Sequence, residues 1–192
     1  MAEVLLFHHT LGRTAGFLAF AEDLRRAGHV VHTPDLYGDG RTLATLEEGV
    51  AAAEEIGLET LMEVGVRAAD DLPADLVYAG FSLGVLPAQK LAQTRPGASG
   101  ALLFEACVPT AMLGSRWPEP VPVQVHGMDA DPIFIGEGDA DAARELVAAA
   151  DRGELFLYPG DQHLFADAGL PSYDAAAAAL LTRRALAFLA GV

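Results

Sequence analysis

The chain has 192 residues, 52% of them hydrophobic, and a formal net charge of −15. This hydrophobic content excludes a disordered chain, and the length suits one domain over residues 1–192. The excess of acidic residues argues against partners such as nucleic-acid backbones or anionic membranes.

Signals for membrane insertion, secretion and disulfide formation are missing from the sequence. No apolar run reaches the roughly 18 residues of a membrane span. Residues 1–9 lack the basic segment and cleavage site of a signal peptide. A single cysteine, Cys107, excludes an internal disulfide. We therefore expect a cytoplasmic protein.

Six apolar runs of strand type alternate with helical patterns. Strands are predicted at residues 3–9, 29–33, 75–80, 101–106, 121–126 and 154–158. Helices are predicted at residues 15–27, 85–94 and 139–151, in residues 42–71 as two helices or one bent helix, and from about residue 173 to 190. Thr14 and Ser172 are expected to cap the first and last helices, and Gly28 to end the first.

This alternation predicts the fold class. The connections between strands are long enough for crossovers, which favours a parallel sheet with helices on both faces. We expect a three-layer α/β/α sandwich whose mainly parallel, six-stranded sheet has the order 2-1-3-4-5-6 along the chain numbering. Ligands bind beyond the C-terminal ends of the strands in such sheets, so the polar residues there are the functional candidates.

Residues 80–84 fit the pattern G-x-S-x-G and lie between the third strand and a helical pattern. A nucleophile elbow requires this context of strand, tight turn and helix. A Cβ at Gly80 or Gly84 would collide with neighbouring backbone, and glycine tolerates strained dihedrals. The same pattern also occurs in glycine-rich turns whose serine is idle, so other residues must decide the role of Ser82.

Candidate partners for Ser82 follow later strands. His163 lies in the loop after the last strand, and Asp129 and Asp131 lie in the loop after the fifth. The order Ser, Asp, His is that of nucleophile, acid and base in α/β hydrolases. We favour Asp131 as the acid because Pro132 would fix its backbone. Asp129 remains the alternative acid, or a turn-stabilising residue.

These residue types suit nucleophilic catalysis. A serine hydroxyl needs a base to take its proton, histidine titrates near neutrality, and a carboxylate fixes the imidazole tautomer. Two backbone N–H groups must then stabilise the oxyanion, and we expect them from Leu83 and from Thr10 or Leu11. The expected pocket residues are His9, Leu11, Phe81 and Asp129.

Other chemistries have weaker support. His8, His9 and His126 could hold a metal, but no spaced Asp, Glu or Cys set completes a site. No glycine-rich nucleotide motif opens a helix, so we expect neither a metal nor an organic cofactor. Glu105, at the end of the fourth strand, either supports the site or is a solvated strand end. Cys107 is expected to be a small buried hydrophobe rather than a nucleophile.

Taken together, these motifs resemble the dienelactone hydrolase family of the α/β-hydrolase superfamily. The resemblance covers nearly the whole chain and is carried by residues 7–12, 34–37, 80–84, 126–132 and 158–160. It implies a triad of Ser82, Asp131 (or Asp129) and His163. It also implies a minimal α/β-hydrolase fold, because the chain begins almost directly at the strand equivalent to the superfamily's third.

The chain departs from this family at two positions of the site. Dienelactone hydrolases proper have a cysteine where this chain has Ser82, and a glutamate in the first loop where this chain has residues 8–10. The resemblance therefore implies hydrolysis of a small ester, thioester or lactone rather than of dienelactone itself.

The size and shape of the site are also predicted. No lid-sized insertion separates the fourth and fifth strands, only the loop of residues 107–120, which implies an open pocket for a small molecule.

We expect a monomer or a homodimer. The alternative is a non-catalytic protein of the same fold that binds a small ligand or another protein chain.

Overall fold

Six parallel strands form the central sheet. The computed structural model describes residues 1–114 and 116–192. The strands are β1 Glu3–Phe7, β2 Val30–His32, β3 Val77–Phe81, β4 Gly100–Phe104, β5 Val123–Met128 and β6 Gly153–Tyr158. Their order is β2-β1-β3-β4-β5-β6, and every neighbouring pair is parallel. The predicted order is therefore confirmed.

Helices connect the strands. They are α1 Ala15–Arg26, α2 Leu46–Ile56, α3 Leu58–Arg67, α4 Val85–Thr94, α5 Pro132–Gly136, α6 Asp139–Ala149 and α7 Ala175–Ala190. Helices α2 and α3 meet at Gly57, whose φ of 93° ends α2, so residues 42–71 contain two helices. Among the described residues, no helix combines the length and apolarity that a membrane span requires.

The sheet buries both of its faces. In β1, Val4 and Leu6 pack into a core that includes residues of α1 and α7. Leu5 and Phe7, which alternate with them, pack into a second core that includes residues of α3, α4 and α6. Because successive residues of a strand point to opposite faces, this division confirms the three-layer arrangement.

Two helix caps show where local patterns succeed and fail. Thr14 accepts a hydrogen bond from the third helical N–H of α1, and Gly28 follows that helix with a φ of 93°, as predicted. The prediction for α7 is wrong, because Asp174 rather than Ser172 caps it. The Asp174 carboxylate accepts from two helical N–H groups at 2.9 Å each, whereas the Ser172 hydroxyl donates to the Leu164 carbonyl.

Several strand boundaries differ from the prediction by up to two residues. β1 ends at Phe7 rather than residue 9, and β4 ends at Phe104 rather than residue 106. The positive φ of 62° at Glu105 turns the chain out of β4. The predicted loop at 107–120 contains a short 3-10 helix, Thr110–Leu113. Ser115, which belongs to the same predicted loop, lies outside the described residues.

The turn from β3 into α4 is unusually tight. A 3-10 turn at Ser82–Gly84 joins the two elements. A Cβ on Gly80 would lie 2.1 Å from the Gly84 carbonyl oxygen, and a Cβ on Gly84 would lie 2.5 Å from the Phe7 carbonyl oxygen. The absence of a side chain at Gly80 and Gly84 thus allows backbone segments to approach each other closely. The strained dihedral expected of them falls instead on Ser82, whose φ is 46°.

Adding one methyl group at this turn should destabilise the fold. We expect Gly84→Ala to lower the free energy of unfolding by roughly 1–3 kcal/mol, because the methyl group must displace backbone of β1. Gly136→Ala is the matched control, since a Cβ there meets nothing within 4 Å. It should change stability by no more than about 0.5 kcal/mol. Urea unfolding measures both, and equal losses would contradict the packing argument.

Candidate active site

Three predicted residues meet at the C-terminal edge of the sheet. Ser82 follows β3, Asp131 follows β5 and His163 follows β6. The Ser82 Oγ lies 2.9 Å from His163 Nε2. His163 Nδ1 lies 2.7 Å from Asp131 Oδ2. The structure therefore joins the three side chains in one hydrogen-bonded chain.

The direction of these hydrogen bonds follows from the donor inventory. A carboxylate can only accept, so His163 Nδ1–H donates to Asp131 and Nε2 is left to accept from the Ser82 hydroxyl. The side chains of His163 and Asp131 are 6% and 0% exposed. Asp131 also caps α5, where its Oδ1 accepts from the Ile133 N–H at 2.9 Å and Pro132 opens the helix. This short helix, which the sequence patterns did not reveal, fixes the carboxylate.

The alternative acid, Asp129, has a different position. Its side chain is exposed, and its Oδ1 accepts a hydrogen bond from the Gly160 N–H at 3.1 Å. Its own N–H donates to the Tyr158 carbonyl. Asp129 thus ties the loop after β5 to the loop after β6, which is a contact between two loops rather than the local turn considered for it.

The surroundings of His163 favour its protonated form. Burial alone lowers the pKa of an imidazole. The hydrogen bond to Asp131 and the negative charges of Glu105, Asp131 and Asp139 outweigh burial, and the pKa of His163 is raised above its ordinary value. A nearby negative charge stabilises imidazolium, so this environment also suits a histidine that accepts a proton during a reaction.

Glu105 is a functional candidate that the sequence pattern left undecided. It is fully buried, and burial raises its pKa to about 7, with Asp131 adding to this effect and His163 opposing it. The N–H groups of Phe165 and Ala166 face the carboxylate, but neither makes a hydrogen bond of standard geometry with it. Glu105 is therefore a buried carboxyl group whose charge is coupled to those of His163 and Asp131.

A second buried histidine–carboxylate pair joins the first loop to the loop after β6. His9 Nε2 donates to Asp167 Oδ2 at 2.9 Å, and the side chains are 1% and 3% exposed. The Thr14 hydroxyl donates to the same carboxylate. His9 Nδ1 then accepts the Leu11 N–H at 3.2 Å. The sequence offered no signal for Asp167, which is far from His9 along the chain.

These contacts set the orientation of the Thr10 peptide. The His9 carbonyl accepts from the Gly12 N–H at 3.0 Å and from His8 Nδ1 at 2.7 Å. Because C=O and N–H point in opposite directions across a trans peptide, the Thr10 N–H is directed away from these partners. The Leu11 N–H, in contrast, donates to the His9 ring.

Two further buried histidines, His8 and His126, make hydrogen bonds within the fold. The buried ring of His8 accepts the Leu36 N–H at 3.0 Å, and burial lowers its pKa to about 4. His126 contacts Tyr158 at 2.8 Å, and burial together with Arg184 lowers its pKa to about 3. Within residues 1–114 and 116–192, no three His, Cys, Asp or Glu side chains are grouped so that they could hold a metal ion.

Three of the four expected pocket residues line two cavities, and Asp129 lines neither of them. Leu11 lines an open cleft of about 430 Å³ that reaches His163. His9 and Phe81 line a separate, water-sized cavity of about 10 Å³ beside Asp167. The residues lining the open cleft are Leu11, Ala44, Thr45, Leu46, Gln162, His163, Leu164, Leu170, Pro171 and Ser172.

Solved structures of other proteins share this fold. A dienelactone hydrolase-like promiscuous phosphotriesterase from metagenomic libraries is 18% identical, with a TM-score of 0.78 over 100% of this chain and 86% of its own. A dienelactone hydrolase from Anabaena variabilis is 17% identical, with a TM-score of 0.69 over 100% and 86%. Propionate-bound esterase 2 of Thermogutta terrifontis is 18% identical, with a TM-score of 0.62 over 99% and 83%.

Identities this low establish a shared fold alone, and comparison with curated proteins finds no match. The family is decided by a different comparison. The model of the dienelactone hydrolase family matches residues 1–192, which is the whole chain. Since that match spans β1 to α7 and every loop between them, the chain belongs to the dienelactone hydrolase family.

Proposed function

We propose that this protein is a serine hydrolase that cleaves a small ester, thioester or lactone, with Ser82 as nucleophile, His163 as base and Asp131 as acid. The observation that carries the proposal is the continuous hydrogen-bonded chain, with 2.9 Å from Ser82 to His163 and 2.7 Å from His163 to Asp131. Membership of a hydrolase family supports it.

Each residue has a defined task in the proposed mechanism. His163 Nε2 takes the Ser82 proton as Oγ attacks the carbonyl carbon, and later gives that proton to the leaving group. Asp131 holds the tautomer that leaves Nε2 free to accept and stabilises the imidazolium. Water then attacks the acyl group on Ser82, with His163 again as base, and the free serine is restored.

The oxyanion would be stabilised by backbone N–H groups. The Leu83 N–H lies in the first turn after Ser82, where helical N–H groups have no intrahelical acceptor. The Thr10 N–H comes from the first loop, which packs against the elbow where Gly84 meets the backbone of Phe7 and His8. Removing one donor of this kind typically lowers turnover by about 10²–10³-fold.

The structural neighbours are consistent with ester substrates. One neighbour is a promiscuous phosphotriesterase, and another is an esterase with bound propionate. Cys107 does not compete as a nucleophile, because it is fully buried and burial raises the pKa of its thiol.

Covalent labelling and substitution of Ser82 test the proposal. A fluorophosphonate should add one adduct, located on Ser82, in intact-mass and peptide analysis. Ser82→Ala should abolish both labelling and hydrolysis of short-chain nitrophenyl esters while unfolding at the same urea concentration. Absence of labelling in the folded protein would favour the non-catalytic binding alternative, and near-normal activity of Ser82→Ala would refute the role of Ser82.

The two aspartates provide a matched pair. Asp131→Asn should cut turnover by orders of magnitude, about 10⁴-fold in the worked serine-protease case, because an amide favours the wrong tautomer of His163. Asparagine still caps helices well, so α5 should persist. Asp129→Asn should be mild, since Asp129 bonds to Gly160 instead. Steady-state kinetics compare them, and the reverse ranking would transfer the role to Asp129.

The pH profile should reflect the environment of His163. Activity requires its neutral form, so kcat/KM should fall as pH drops through its pKa. Because that pKa is raised, the acid limb should lie above the reference value of about 6.5.

Removing a neighbouring charge should move this limb. Glu105→Gln takes away one negative charge that raises the pKa of His163, so the limb should shift to lower pH. Glu145→Gln, at an exposed position of α6, is the control and should leave the limb in place. An unchanged limb in Glu105→Gln would contradict the assigned coupling.

A further inference from the structure

The open cleft beside His163 is built by three segments. The first loop supplies Leu11, whose carbonyl accepts the Leu43 N–H at 3.0 Å, so this loop is bonded to the chain that leads into α2. The start of α2 and the segment after His163 supply the other walls. At about 430 Å³ the cleft is at the small end of the range for ligand sites, which is roughly 300–1,000 Å³.

The described residues that line this cleft include no charged side chain apart from His163, when it is protonated. Five of them are leucine or proline, and the polar ones are Thr45, Gln162 and Ser172. An anionic group entering the cleft would therefore lose hydration without gaining an ion-pair partner, which is costly.

The arginines of the bordering loops have partners elsewhere. The Arg13 guanidinium lies 3.8 Å from Asp35 Oδ2. Arg41 makes a bidentate contact with Asp39, with its Nη2 2.5 Å from Oδ2. Neither arginine lines the cleft. Both of these arginines are thus matched by a carboxylate.

The N-terminus of α2 also lines the cleft, and helix N-termini attract anions. Here one N–H of the first turn is occupied, and a carboxylate of that turn binds the backbone just before the helix. The Thr45 hydroxyl accepts the Glu48 N–H at 3.2 Å, and Glu48 Oε2 accepts the Ala44 N–H at 3.0 Å. Glu47 adds a second carboxylate to the first turn. This end of the helix is neutralised by the protein's own acids.

We propose that the cleft selects uncharged, largely apolar esters and rejects those that carry a carboxylate close to the cleaved bond. The proposal rests on the proposed hydrolase function and adds the charge and polarity of the substrate. The net charge of −15 acts in the same direction, because it repels anions during approach.

The test compares two esters that differ in one terminal group. They are 4-nitrophenyl hexanoate and the mono-4-nitrophenyl ester of adipic acid, which have acyl chains of equal length. We expect kcat/KM to be higher for hexanoate by roughly tenfold or more, as an unpaired carboxylate requires. A ratio at or below one would overturn the proposal.

Variants at Gln162 distinguish the effect of the cleft lining from the effect of the protein's overall negative charge. The side chain is exposed and lines the cleft. The hexanoate-to-adipate ratio should rise in Gln162→Glu and fall in Gln162→Arg, with the native protein between them. A ratio that ignores this charge series would contradict selection by the cleft.

Failure of the proposed function would look different. If neither ester is hydrolysed and Ser82 is not labelled, the hydrolase function fails. The selectivity is then measured from the binding of hexanamide and of the monoamide of adipic acid. Binding is detected as a change in the ring chemical shifts of His163. Tighter binding of hexanamide supports the proposal, and equal or tighter binding of the adipic monoamide overturns it.

Discussion

The site depends on the close backbone approach between the elbow and β1. A Cβ on Gly84 would lie 2.5 Å from the Phe7 carbonyl oxygen, so α4 begins directly against the end of β1. The same turn holds Ser82 at a φ of 46° and sets the first loop beside it. The proposed nucleophile and the proposed oxyanion donor Thr10 are therefore positioned by backbone packing, which side-chain motion does not disturb.

Around this frame, negative charge governs the chemistry. Glu105, Asp131 and Asp139 all stabilise the protonated form of His163 and together outweigh its burial. As the proposed base, His163 would accept a proton readily but would be active only once the pH exceeds its raised pKa. The negative charge of the surface also disfavours anionic substrates, and the uncharged cleft gives them no partner. Negative charge therefore bears on both the active pH range and the proposed substrate class.

Local sequence patterns were sufficient for the sheet order and for bringing Ser82, Asp131 and His163 together. A G-x-S-x-G turn after β3 and polar residues after β5 and β6 have fixed places in a parallel sheet, so their meeting point follows from topology. The burial of Glu105 and the cap at Asp174 were not predictable in this way. Both depend on which distant segments cover a residue, and one-dimensional patterns carry no such information.

In the proposed mechanism, Ser82 forms a covalent bond to the acyl group of its substrate. The most direct test of this step is rapid quenching of the protein during hydrolysis of 4-nitrophenyl trimethylacetate, whose hindered acyl group slows deacylation, followed by mass analysis. We expect the protein mass to increase by one trimethylacetyl group, located on Ser82. Turnover without an acylated intermediate, or with the acyl group on another residue, would contradict the account.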